Sequence, residues 1–321
     1  VAPVQAHLTS LRDPEVDLSA AGGATPSLPT LFEAFHYAGL PDTESMACTV
    51  IEALGDQFDF LVYYSDFRVD NQEGGTPSTG AIGDDVTGFG QDRFLSPSDF
   101  CSEGRLQDTY TQPVYIGSNQ GRERALDGSW EGYDYAMSQV GHELTHRWLA
   151  FADATVDGRT FPLGPTHWAL ALHAPVAFPY RQEYEASTQG GAFWRDNGDG
   201  TYTMLADNFY SPAQGFSHLD LYFLGFLPPS EVPDMMFLEN LERLDDDEDG
   251  NRVYRGDPLT VTIEDVIAAN GPRLPPFEES QKEFKTGMVG IVLNGAEPSP
   301  MLLDNLQGIR DEWIAYWSKT T

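Results

Sequence analysis

The chain has 321 residues, and its 50 acidic against 18 basic side chains give a formal net charge of −32 at pH 7. Such a surface repels nucleic acid and anionic membranes, and no basic stripe offers a local exception. The length allows a sizeable core, the 40% hydrophobic content is that of a globular protein, and no apolar run approaches the roughly eighteen residues of a membrane span.

Residues 1–30 are rich in Pro, Ala, Ser and Thr without a lasting period and are expected to form an extended arm. The start "VAPVQAHLTS" lacks the basic and apolar regions of a signal peptide and reads as a processed mature end. "LPTLFEAFHYAGL" (28–40) has helical spacing and stops at Gly39. "FDFLVYYSDF" (58–67) predicts a strand too apolar for an edge open to water. Residues 71–90 form a long Gly-rich loop, and "QPVYIGS" (112–118) predicts a second strand before a helix that carries "GHELTHRWLA" (141–150). "GDGTYTML" (198–205) reads as a turn and strand, and "SHLDLYFLGFLPPSEVP" (217–233) as an apolar helix or strand stopped by two prolines. "PLTVTIEDVIAANG" (258–271) predicts a strand followed by a short helix, and "FKTGMVGIVLNG" (284–295) a strand or buried helix. Leu302, Leu306, Ile309, Trp313 and Trp317 recur at three- and four-residue steps, the mark of an amphipathic terminal helix.

His142, Glu143 and His146 have the spacing His-Glu-x-x-His. Residues four apart on a helix share one face, so the two imidazoles can offer nitrogens to one tetrahedral ion. Glu143 is turned about 100° from His142, close enough to hold a water on that ion. Val140, Leu144 and Trp148 make an apolar stripe away from the histidines, while Leu149 shares the histidine face. One side of the helix is then core and the other cleft.

This segment resembles the active-site helix of the zincin metallopeptidases. The resemblance implies zinc bound by His142 and His146, with Glu143 as the general base that takes a proton from the attacking water. The chain also looks similar, over the range 58–321, to a group of secreted bacterial proteins. They share a "GHE..HRW" helix, a later "HW", an "NGDGT" turn and a "DLY..G" segment, here Gly141–Trp148, His167-Trp168, Asn197–Thr201 and Asp220–Gly225. Only the first motif is specific about chemistry.

A catalytic zinc keeps three protein ligands and one open position. The metzincin pattern needs glycine at 149 and His or Asp at 152, where this chain has Leu149 and Ala152. The thermolysin-like pattern needs a Glu near 164–170, where the chain offers His167 instead. His167 is therefore the expected third ligand, with His173, Asp153, Asp220 and Glu185 as alternatives. Tyr222 and His218 are candidate donors to the oxyanion formed in peptide hydrolysis.

Asp245, Asp247 and Asp249 alternate before Gly250 as in the first half of an EF-hand loop, which makes them candidate calcium ligands, although the closing position at 256 is Gly. "RDNGDGTY" (195–202) reads as a hairpin turn. Cys48 and Cys101, outside any Cys-x-x-Cys pair, are expected to form one disulfide in a secreted setting.

The expected fold is α+β and zincin-like. A twisted mixed sheet over a central zinc-binding helix would occupy 31–152, and an irregular, partly helical lower subdomain 153–321, with the cleft near residue 152. The expected function is a secreted, monomeric zinc-dependent endopeptidase acting on protein or peptide substrates. The alternatives are a non-catalytic extracellular binding or adhesion module with a structural zinc, or a zinc hydrolase of non-peptide amides.

Overall fold

The computed structural model describes residues 4–7, 43–65, 78–112, 133–181, 183–207, 214–293 and 297–321. The helix expected at 28–40, most of the N-terminal arm and the strand expected beyond 112 lie outside the described residues. The chain divides into two compact units, one drawn from 1–83, 94–136 and 283–313, the other from 84–93, 137–282 and 314–321.

In the first unit the apolar stretch after Asp59 forms β2 (Phe60–Ser65), and all six of its residues are buried. It lies between β12 (Thr286–Leu293) and β4 (Asp108–Gln112), parallel to both. Strands β1 (Val4–His7) and β3 (Ser78–Ala81) add antiparallel edges, giving the order β1-β12-β2-β4-β3. A strand covered on both faces needs a continuous apolar run rather than alternation, which is what β2 supplies. On one face, α1 (Thr43–Leu54) packs Met46, Ala47 and Val50 with Leu61, Tyr63, Val289 and Ile291. Gly290 meets the C-terminal helix α5 (Pro300–Thr320), where an added Cβ would stand 3.0 Å from Leu306 and 3.1 Å from Leu302. The glycines that left 284–295 ambiguous therefore mark close packing on a central strand. Leu302, Leu306 and Ile309 of α5 are fully buried, as their spacing predicts.

Cys48 of α1 is bonded to Cys101, which follows the 3-10 turn Pro97–Phe100.

The second unit is rich in strands. β5 (Asp153–Val156) and β6 (Arg159–Pro162) form a hairpin. Strands β7 (Trp168–His173), β8 (Gly190–Asp196), β9 (Thr201–Asp207), β10 (Met235–Arg243) and β11 (Val253–Val261) close into a barrel in the order β10-β11-β9-β8-β7. Its core holds Ala192, Trp194, Tyr202, Met204 and Leu238. The pairing is antiparallel except between β7 and β8, which start side by side at Trp168 and Gly190. Helix α3 (His218–Leu224) opens on a capping box of Ser217 and Asp220 and ends at Gly225, before the two prolines. Helix α4 (Ile263–Asn270) opens on a second box, Thr262 with Asp265.

The α+β class holds, and 153–321 is partly helical as expected, with α3, α4 and α5, but its irregular character is corrected: seven strands lie in 153–261. Their sequences hide the two-residue period. In β10 the register shifts between Glu239 and Glu242, and Asn240 takes φ 53°, so apolar residues on either side of the bulge fall out of phase. Among the described residues no helix is long and apolar enough to cross a membrane.

The disulfide closes a loop of 53 residues, which in the chain-entropy model contributes about 4 kcal/mol. The double variant Cys48→Ser/Cys101→Ser is expected to lose roughly that much in urea denaturation. A midpoint unchanged from the parent would show that the bridge does not constrain the unfolded chain.

Candidate metal centre

Helix α2 (Asp134–Thr145) carries the His-Glu-x-x-His stretch. Val140, Leu144 and Trp148 are buried, as the apolar stripe requires, and Leu149 is buried as well. The helix tightens at its end. The His146 N–H bonds to the Glu143 carbonyl at 3.2 Å, and the N–H groups of Trp148 and Leu149 both reach Thr145 O at 3.0 Å. His146 thus lies one residue past the regular helix but keeps its place above His142, with Nε2 3.1 Å from His142 Nε2. The buried Arg147 beside it is paired with Asp85 at 2.5 Å.

His167 comes from the connection between β6 and β7. A tight turn brings the Ala169 N–H to Leu163 O at 2.7 Å. Only glycine fits inside it: a Cβ on Gly164 would sit 1.8 Å from the His167 carbonyl oxygen. This turn puts His167 Nε2 3.0 Å from His142 Nε2, with the two rings stacked at 4.9 Å. Among the described residues, His142, His146 and His167 are the group of metal-ligating side chains that converges, their nitrogens all within 4.8 Å of one another.

The donor set fits a zinc-like ion. Imidazole nitrogens at about 2.0–2.1 Å from a tetrahedral zinc stand about 3.3 Å apart, close to the 3.1 and 3.0 Å that separate His142 Nε2 from His146 and His167. The protonation state fits too. His142 Nδ1 lies 2.6 Å from the Thr188 carbonyl, which can only accept, so the proton sits on Nδ1 and the Nε2 lone pair faces the other two rings. Burial lowers the His142 pKa to about 4, helped by His167 and opposed by the bond to Thr188. Burial, reinforced by His142 and His167, lowers that of His146 to about 2. Burial also lowers His167. All three rings are neutral at pH 7, the form in which imidazole binds a metal.

The remaining candidates lie elsewhere. His173, at the end of β7, accepts the Trp194 N–H at Nδ1 (3.0 Å) and meets the Phe193 ring edge-on. Glu185 is buried and receives the N–H groups of Tyr180 and Arg181 at 2.9 and 2.5 Å. Asp153 begins β5, where its main chain pairs with the Asn270 side chain. Asp220 is fully buried, closing the α3 capping box and accepting the Trp168 indole N–H at 2.7 Å. It thereby braces the residue next to His167 rather than joining the cluster. Tyr222 is buried, its hydroxyl oxygen accepting the Arg273 N–H at 3.0 Å, and His218 opens α3 outside the convergent group.

Asp245, Asp247 and Asp249 do not converge as a ligand group among the described residues. Asp247 is committed to the β10–β11 turn, where its carboxylate takes the N–H groups of Asp249 and Asn251 and the Asn251 amide. The 195–202 stretch is the expected hairpin turn, with Asp196 bonding the Gly198 N–H at 2.7 Å.

The sequence reading missed Ser187, Thr188 and Gln189, polar residues that are all buried. Nothing in "STQGG" separates such a run from an exposed loop. No protein-family model matches the chain, and no curated protein or solved structure shows detectable similarity to it.

The chain is expected to retain one zinc ion after dialysis in metal-free buffer. His142→Ala, His146→Ala and His167→Ala should each weaken zinc binding by more than about a hundredfold, beyond the 10–100-fold typical of outer partners. Changing Asp245, Asp247 and Asp249 together to Asn should leave the zinc content unaltered. Elemental analysis with chelator competition reads all of these, and full zinc retention in the His167 variant would remove that residue from the site.

Proposed function

We propose that this chain is a zinc-dependent endopeptidase of the zincin type, acting on proteins or peptides outside the cell. The observation that carries this reading is the convergence of His142, His146 and His167, from a helix end and a distant tight turn, beside a glutamate on the same helix. His142, His146 and His167 would hold the ion by their Nε2 atoms. A zinc ion bound there supplies Lewis acidity, activating water near neutral pH and polarising a carbonyl.

The chain's own residues supply the rest. Glu143 follows His142 on α2 and is half-buried. Its carboxylate is the proton acceptor for the attacking water, and the same oxygen returns the proton to the leaving amine nitrogen. Thr188 orients His142 through Nδ1, and Asp220 braces Trp168 behind His167. The oxyanion donor is sought at Tyr222 or His218.

Three converging protein ligands, with no fourth His, Cys, Asp or Glu in the group among the described residues, favour a catalytic over a closed structural ion. The Cys48–Cys101 bridge supports an oxidising compartment.

The zinc-loaded protein is expected to cleave members of a proteome-derived peptide library. Glu143→Gln should reduce cleavage by about 10²–10⁴-fold while zinc stays bound. Silence from both proteins with zinc stoichiometric would move the reading to a structural ion or a non-peptide amide substrate.

A further inference from the structure

The ligands sit on two segments far apart in sequence, and one residue between them bonds to both, by its side chain to α2 and by its main chain beside His167. Gln189 is fully buried. Its Nε2 donates to the carbonyl oxygen of His142 and, at 2.9 Å, to Oγ1 of Thr145. Its main-chain carbonyl accepts the N–H of Trp168, the residue after His167, at 2.8 Å.

The first of these bonds falls where the helix needs it. Where the regular helix ends, the His146 N–H bonds Glu143 O. The amide of Gln189 bonds the His142 carbonyl in this last turn. It also bonds the hydroxyl of Thr145, whose own proton goes to Gly141 O at 2.6 Å. The last turn of α2 is held in its tightened form, with His146 over His142. Through the Trp168 N–H, the same residue fixes the chain that presents His167.

We propose that Gln189 is a positioning residue of the metal centre: it locks the final turn of α2 and the chain beside His167 into one register, and so sets how tightly the ion is bound. The proposal rests on the reading of His142, His146 and His167 as metal ligands. A glutamine that served only the fold would affect a two-histidine and a three-histidine site alike. One that aligns the two segments matters most when His167 is present to be aligned.

The test is a double-mutant cycle on zinc affinity, read by chelator competition for the parent, Gln189→Leu, His167→Ala and the pair. Gln189→Leu is expected to weaken binding by about 10–100-fold in the parent and to change it by no more than about threefold in the His167→Ala background. Equal losses in both backgrounds, or no loss in the parent, would overturn the proposal. If Gln189→Leu does not fold, Gln189→Glu keeps the size but sets an acceptor against the His142 carbonyl. Parent-like affinity in that folded variant would overturn the proposal, and a loss confined to the three-histidine background would support it. Absence of zinc binding in the parent would instead defeat the metal reading itself, which the cycle distinguishes because its reference affinity is measured first.

Discussion

The carbonyl oxygen of Thr188 can only accept a hydrogen bond, and His142 Nδ1 stands 2.6 Å from it. That contact fixes the proton on one nitrogen of the ring and leaves the lone pair on the other, which faces both remaining histidines at 3.0 and 3.1 Å. His142 is the shared member of the trio, so its tautomer decides whether the cluster is a set of donors for a cation or an ordinary hydrogen-bonded group. Neutral imidazoles with converging nitrogens, two of them half-buried and His167 exposed, are poorly arranged for one another, because their lone pairs repel. A cation among them relieves that repulsion.

The barrel explains how Thr188 comes to be there. Parallel strands start at the same end of a sheet, and β7 and β8 begin side by side at Trp168 and Gly190. The residues just before each strand, His167 on one side and Thr188–Gln189 on the other, are therefore neighbours. Gly190 makes that approach close: it takes φ 113°, and an added Cβ would lie 2.6 Å from the Trp168 carbonyl oxygen. Asp220 completes the brace by holding the Trp168 indole. Its full burial raises its pKa through desolvation, against the hydrogen bonds of Ser187, Trp168 and Ser217 that stabilise the carboxylate. A short capped helix, a parallel strand pair and a helix end thus meet on one imidazole cluster.

Much of this was legible in the sequence because local signals were strong. His142 and His146 declare themselves by helical spacing, β2 by its unbroken apolar run, and α4 by Thr262, Asp265 and Gly271 at its ends. His167 was reachable by its place in the chain, although the reason it reaches the site, the glycine-only turn at Gly164, is a three-dimensional fact. The barrel strands were less legible, since the bulge at Asn240 interrupts their alternation and parallel pairing of β7 with β8 depends on residues far apart. Thr188 and Gln189 were not legible: buried polar residues announce themselves only when their partners are known. The acidic run at 245–249 left two readings open, because an Asx-type turn and a cation loop call for the same residues.

The most direct test is X-ray absorption at the zinc edge on the protein as purified. A spectrum fitted by three imidazoles and one exchangeable oxygen ligand is the expected result. A shell of two imidazoles, or one completed by a fourth protein side chain, would contradict a three-histidine centre with an open position.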